Sequence, residues 1–261
     1  MGKAAVFIPV LMLIALAVPG KAQSNLNPKE SDGKSKSAEE IAHELSNPNT
    51  TLGTLTFELD YTHFKGDLPG ADDQNAFRLT FQPSLPVPLG EGVNFFARPA
   101  VPIVFYQDVP AGAGDFRNTG VNLGDIGFDA ALGKSFKSGL ILIGGLVGTL
   151  PTATDDDIAG KQVRLGPEAL AGILKKWGFL GVLITQQWDV ATVGDRTDYD
   201  VSITAGQYFY TFNLKQGWQI ASSPTFAVNH EGTSGWTFPL GIGVRKTSIL
   251  GGTPWKFGLE Y

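Results

Sequence analysis

From Leu52 onward, apolar and polar residues alternate along the chain with a period of two. In the first such run an apolar set alternates with a polar set: Leu55, Phe57, Leu59 and Tyr61 against Thr56, Glu58, Asp60 and Thr62. This period places successive side chains on opposite faces of a β-strand. The chain is therefore expected to form strands that have one apolar and one polar face.

Similar runs recur to the end of the sequence, each bounded by Gly, Pro, Asp or Asn, and we count about eleven of them. The 33 Gly and 16 Pro fit a protein with many turns. The longest later apolar stretch, 139–150, has only 12 residues and four glycines, whereas a membrane-spanning helix needs roughly 20 apolar residues. We expect an all-β, antiparallel fold of about 12 strands (10 to 12).

The first 22 residues have the pattern of a secretory signal peptide. Lys3 is followed by an apolar run to Val18, and the small residues Gly20 and Ala22 form a cleavage-like site before Gln23. The alternative is an uncleaved anchor, for which the apolar run is short. We expect residues 1–22 to be removed on export, which places the mature protein outside the cytoplasm.

Residues 23–50 are rich in Ser, Asn, Lys, Asp and Glu and lack aromatic residues. We interpret them as a mobile periplasmic arm. Ser37 with Glu40 matches a capping box, and apolar residues follow at helical spacing, so one short helix is expected there, ended by Pro48. The barrel domain is expected over residues 51–261.

Alternation alone does not separate a soluble barrel from a transmembrane one, because the soluble form turns its apolar face inward. The export signal, the segment lengths, and the small or charged residues on the second face favour a barrel with its apolar face outward. If a barrel spans a membrane, charged side chains on its strands must point inward, since Arg on the lipid face costs about 2 to 4 kcal/mol at the midplane. The residues expected to line the lumen are Glu58, Asp60, Arg78, Arg98, Asp125, Asp129, Asp189, Asp200 and Arg245. They either pair as a structural network or line a wet path for solutes.

The sequence has no clear motif for a catalytic, cofactor or metal site. The chain has no Cys, and we expect neither a cofactor nor a metal site. His43, His63 and His230 are far apart in sequence and are interpreted as solvated residues. The run Asp155-Asp156-Asp157 lacks the spacing of a calcium loop, so it is interpreted as a solvated loop. The net charge of -5 is unfavourable for binding nucleic acid.

Several short stretches of the chain, from about Ala38 to its end, resemble the outer-membrane transporters grouped as "MetA-pathway of phenol degradation". They are Leu45-Ser46-Asn47-Pro48, Gln82-Pro83 with Pro86, Arg98-Pro99 with Pro102, Gly124-Asp125-Ile126, the run 150–154, Leu165-Gly166-Pro167, and Trp236 followed by the run 239–244. The resemblance implies an outer-membrane barrel that moves small compounds, aromatic ones among them, and it implies no catalytic residue.

The strand count raises a question about the last strand. Bacterial single-chain barrels have even numbers of strands, whereas eleven segments are counted here. Family members continue past the equivalent of Leu259 with another strand, so either a strand has been miscounted or the last one is missing from this chain.

The expected function is passive passage of small, aromatic or hydrophobic solutes across the outer membrane, without enzymatic activity. The expected partners are outer-membrane lipid and lipopolysaccharide, the barrel-assembly machinery, and the solute. Two alternatives remain. One is a lipid-acting enzyme that uses His63 with Asp60 or His230 with Glu231, and the other is a structural or adhesive barrel.

Overall fold

The structure is a computed structural model and describes residues 10–18, 36–65, 68–112, 114–194, 200–231, 236 and 238–261. It contains one short α-helix, α1 (Ala38–Glu44), and many strands. The strands are β1 (Val10–Val18), β2 (Gly53–His63), β3 (Asn75–Gly90), β4 (Val93–Pro110), β5 (Phe116–Asn118), β6 (Asn122–Leu123), β7 (Ile126–Ser135), β8 (Leu140–Leu150), β9 (Gln162–Lys175), β10 (Gly178–Thr192), β11 (Ser202–Asn213), β12 (Trp218–Ser222), β13 (Thr225–Asn229), β14 (Gly243–Leu250) and β15 (Thr253–Glu260).

The strands pair antiparallel in a closed ring. The order is β10-β9-β8-β7-β4-β3-β2-β1-β15-β14-β12-β11, and β11 pairs back to β10. Twelve strands thus make up the described wall, and the short strands β5 and β6 pair with β4 outside this path. β13 follows β12 after a break at Ser223 and Pro224 and pairs with the other half of β11. The all-β antiparallel fold expected from the alternation is confirmed.

The twelfth position in the ring is occupied by a segment that the sequence analysis assigns to the signal peptide. β1 pairs antiparallel with β2 over nine residues and with β15 over six. The other eleven strands alternate in direction, so β2 and β15 run parallel to each other. An antiparallel ring therefore needs one more strand between them. Removal of residues 1–22 during export remains a prediction.

The two ends of the ring differ in the length of their connections. At one end, here called the turn end, the connections are 91–92, 136–139, 176–177, 214–217 and 251–252. At the other, the loop end, they are 64–74, 111–125, 151–161, 193–201 and 230–242. Outer-membrane barrels have short periplasmic turns and longer external loops, so this asymmetry is typical of them.

The outer face of the wall, unlike that of a soluble barrel, is apolar and exposed. In β8, Ile141 and Ile143 are buried inside the ring, whereas Leu142 and Leu146 on the outer face are 42% and 52% exposed. In β10, Val182 and Ile184 are likewise exposed. The exposed apolar side chains lie on most strands of the wall, so the outer surface is a broad apolar band.

The interior near the turn end contains a small apolar cluster. Its members come from strands on one side of the ring: Phe96, Ala131, Ile141, Ile143, Leu170 and Phe179. Farther toward the loop end the inward residues become polar and charged. Among the residues described, no helix has the length and apolar character needed to cross a bilayer.

Residues 36–52 pack across the turn end of the ring. The capping box expected for the helix is present, because Ser37 Oγ accepts from the Glu40 N–H at 3.2 Å and Glu40 Oε2 accepts from the Ser37 N–H at 2.7 Å. Ile41 and Ala42 of α1 are buried against the barrel. The described part of the predicted mobile arm therefore lies against the strands, because its apolar face finds a partner in the open end of the ring.

Candidate functional site

The candidate site is the charged part of the ring interior. Strand alternation places these side chains on the inner face of the wall, since each has apolar residues before or after it in sequence. The inward charges are Glu58, Asp60, Arg78, Arg98, Asp129, Arg164, Glu168, Asp189, Arg245, Lys256 and Glu260. Nine of them form two groups on different parts of the wall, and Arg164 and Asp189 lie opposite each other on β9 and β10, nearer the loop end.

The first group lies on both sides of β1. Asp60 accepts from Arg78 Nη2 at 2.8 Å across β2 and β3, and Glu260 accepts from Arg245 Nη2 at 3.1 Å across β15 and β14. Glu58 interacts electrostatically with both pairs. The two ion pairs thus face each other across the strand that completes the ring.

Glu260 is the most fully bonded carboxylate of this group. Its Oε1 accepts from Ser222 Oγ at 2.6 Å and from the Ser223 N–H at 2.9 Å. Its other oxygen, Oε2, binds Arg245. These contacts join β15 to the break between β12 and β13, where a regular ladder is interrupted.

The second group lies on β4, β7 and β9. Arg98 Nε donates to both oxygens of Asp129, at 2.9 and 3.0 Å. Glu168 on β9 interacts electrostatically with both residues and is 5% exposed. Its Oε1 is buried and has no hydrogen-bond partner among the residues described. A buried carboxylate oxygen of this kind is a strong acceptor for a donor that enters the interior.

Two of the nine residues expected to line the lumen lie in connections between strands. Asp125 lies in the connection between β6 and β7, where it accepts from the backbone N–H groups of Ala153 and Gly160 and so fixes the 151–161 loop. Asp200 is exposed and lies before β11. Neither residue lies on a strand, so the alternation from which a lumen position was predicted does not apply to them, and that position stays a prediction.

Asp189 occupies an intermediate position. It lies at the loop end of β10 between the exposed residues Trp188 and Val190, so it faces inward. Its Oδ1 accepts from the Val201 N–H at 2.6 Å. It therefore holds the start of β11 at the entrance from the loop end.

Sequence reasoning missed four inward charges, Arg164, Glu168, Lys256 and Glu260. The sequence carries a signal for the last two, since Lys256 and Glu260 alternate with the apolar residues Trp255, Phe257, Leu259 and Tyr261. Glu168 was harder to assign because apolar or small residues occur on both faces of its strand, Gly and Leu on the inner face and Leu, Ala and Pro on the outer one.

The acidic run Asp155-Asp156-Asp157 at the loop end is paired with two basic residues, Arg117 and Lys161. Arg117 Nη2 donates to Asp155 at 2.7 Å, Arg117 Nε donates to Asp157 at 2.8 Å, and Lys161 pairs with Asp156 at 2.8 Å. The hydrogen bond from Arg117, helped by one from the Asp157 N–H, lowers the pKa of Asp155 below its ordinary value. The hydrogen bonds of Arg117 to the carboxylates of Asp155 and Asp157 raise the pKa of Arg117. These contacts make the run a loop anchor, which agrees with its interpretation as an ordinary loop.

The histidines do not meet the carboxylates that the enzyme alternative needs. His63 Nδ1 lies 2.9 Å from Asn75 Oδ1, and Asp60 is engaged by Arg78 instead. His230 Nε2 lies 2.7 Å from Thr204 Oγ1. His43 Nε2 lies 2.9 Å from the carbonyl oxygen of Lys175, within the contact between α1 and the barrel.

No group of three or more His, Asp or Glu residues within the described ranges is placed to hold a metal ion. Comparisons with family models, with curated proteins and with solved structures give no match for this chain.

The interior charges are nearly balanced. Of the eleven, five are basic and six are acidic, and six of them form three ion pairs. Such an interior offers polar contacts without a strong field of one sign. It therefore suits uncharged or weakly polar molecules better than highly charged ones.

Proposed function

We propose that this protein is an outer-membrane β-barrel through which small, uncharged solutes pass down their concentration gradient. The observation that carries the proposal is the inversion of the wall, with exposed Leu, Val and Ile outside and paired charges inside. Apolar side chains outside a closed ring suit acyl chains, since each of the twelve strands of the wall pairs with a neighbour on both sides.

The solute class follows from the balanced interior and from the sequence resemblance. Polar groups lie beside the apolar cluster around Ile141 and Phe179, so the interior offers both kinds of contact. An aromatic molecule with one polar group fits such a surface. The resemblance to the phenol-degradation transporters points to the same class. No cofactor is needed, because flux follows the gradient.

Membrane insertion is tested by one pair of substitutions. Leu146 on β8 is 52% exposed on the outer wall, and Val121 is 73% exposed in a loop-end connection. Leu146→Arg is expected to cost about 2 to 4 kcal/mol if it lies near the midplane and to reduce insertion into lipid vesicles. Val121→Arg, the matched control, is expected to insert normally. Equal insertion of both variants would show that the outer wall does not face lipid.

Passage of solutes is tested by planar-bilayer recording with the refolded full chain. We expect ion conductance and flux of small phenols in vesicles, both absent without protein. Lack of conductance and flux under conditions in which a known porin is active would refute passage and leave the two alternatives, a lipid-acting enzyme and a structural or adhesive barrel.

A further inference from the structure

Residues 36–52, here called the lid segment, contact every hairpin at the turn end. Asn49 Nδ2 donates to the Gly92 carbonyl at 3.0 Å and to Ser135 Oγ at 2.9 Å, which joins the lid segment to the β3–β4 and β7–β8 hairpins. His43 contacts the β9–β10 hairpin through the Lys175 carbonyl. The Gln216 N–H of the β11–β12 hairpin donates to Glu39, and α1 also packs on β14 and β15.

The strongest anchor of α1 is a buried glutamine of the wall. Gln219 on β12 is 0% exposed, and its Nε2 donates to the Ala42 carbonyl at 3.0 Å and to Ser46 Oγ at 2.8 Å. Gln219 faces inward, beside Arg245 in the strand register. The lid segment is therefore bonded to the same interior face that carries the charged groups.

The lid segment is held by hydrogen bonds more than by apolar packing. Ile41 and Ala42 are its only buried apolar side chains among the described residues. A cavity of about 870 Å³ lies between α1 and the neighbouring turns, with Lys176, Leu214 and Trp218 in its lining. The bonds of His43 and Glu39 are exposed, whereas those of Gln219 are buried. Few apolar contacts, together with exposed hydrogen bonds, are the properties of a segment that opens locally without unfolding the rest.

We propose that the lid segment closes the turn-end mouth of the barrel and that solutes pass along the axis only when it swings away. This inference rests on the proposed function and specifies how that function is controlled. The wall and the charged interior stay fixed, and the bonds of Asn49 and Gln219 break and re-form. The open fraction of the lid segment then sets the flux.

One test wedges the lid segment open. A Cβ added at Gly133 on β7 would lie 2.2 Å from Asn49 Oδ1, so Gly133→Ala must displace Asn49. Gly144→Ala on β8 is the matched control, because a Cβ there meets nothing within 4 Å. We expect Gly133→Ala to raise the open fraction about tenfold, which corresponds to about 1.4 kcal/mol, and Gly144→Ala to leave it unchanged.

A second test locks the lid segment closed. The chain has no Cys, so Ser46→Cys with Gln219→Cys can be joined by a short bis-thiosulfonate linker that reductant cleaves. We expect the linked protein to lose conductance, and the reduced protein to conduct more than the unsubstituted chain because the Gln219 bonds are gone. The heat-dependent shift of the folded barrel on gels shows that each variant is folded.

The outcomes separate the two proposals. If the linked barrel conducts as well as the reduced one, or Gly133→Ala conducts like Gly144→Ala, the lid inference is wrong and the channel remains. The channel proposal is refuted, and the lid inference with it, if no folded protein shows conductance or solute flux. This includes the unsubstituted chain and Gly133→Ala.

Discussion

Arg98 and Asp129 form an ion pair between facing strands inside the ring. Asp129→Asn leaves the guanidinium without its carboxylate, so we expect a loss of about 2 kcal/mol in the free energy of unfolding. In bilayer recordings made with a salt gradient, the reversal potential should move toward the equilibrium potential of the anion, because the interior gains one positive charge. Asp156→Asn removes the same charge from a side chain that is 86% exposed in a loop and should change neither quantity. An unchanged reversal potential in Asp129→Asn would mean that ions do not pass this pair.

Arg117 and Asp155 make a second residue-level prediction, which concerns pH. The pKa of Asp155 is lowered in the folded protein, so the anchoring of the 151–161 loop is complete above the ordinary value of 3.8 and is lost as the pH falls below it. Protease cleavage in this loop should therefore be slow at pH 7 and faster at about pH 3. Arg117→Gln should be cleaved quickly at both pH values, whereas Lys161→Gln should behave like the unsubstituted chain. A cleavage rate independent of pH would contradict the anchor.

At the scale of the elements, the backbones of β9 and β10 lie close together at Gly166. A Cβ on Gly166 would lie 1.7 Å from the Gln186 carbonyl oxygen, so Gly166→Ala must push the two strands apart. We expect it to lower the free energy of unfolding by at least about 2 kcal/mol, measured by tryptophan fluorescence in urea. Gly144→Ala, which has open space, should stay within about 1 kcal/mol of the unsubstituted chain. Equal stability of the two variants would show that a Cβ at residue 166 fits between β9 and β10 without moving them.

Elements with a clean period of two could be predicted from the sequence, and others could not. Glu58 and Asp60 on β2 alternate with Leu59 and Tyr61, and their inward placement follows directly. Asp200 could not be placed, since its position depends on where a loop ends and β11 begins. The docking of α1 was also unpredictable, because its partner Gln219 lies 177 residues from Ala42. A local pattern indicates an element's faces but not what those faces meet.

At the scale of the whole molecule, ring closure depends on β1. Without it, β2 and β15 would be parallel edges with unpaired backbone groups, each of which is costly in lipid. A chain beginning at Gln23 is therefore expected to refold into a barrel that melts at a lower temperature on heat-shift gels than the full chain. A synthetic peptide of residues 9–19, added during refolding, should restore the melting temperature by taking the β1 position, whereas a scrambled peptide should not. If the shorter chain melts like the full one without any peptide, the wall closes by some other pairing of β2 and β15, and the antiparallel ring described here is not the form that inserts.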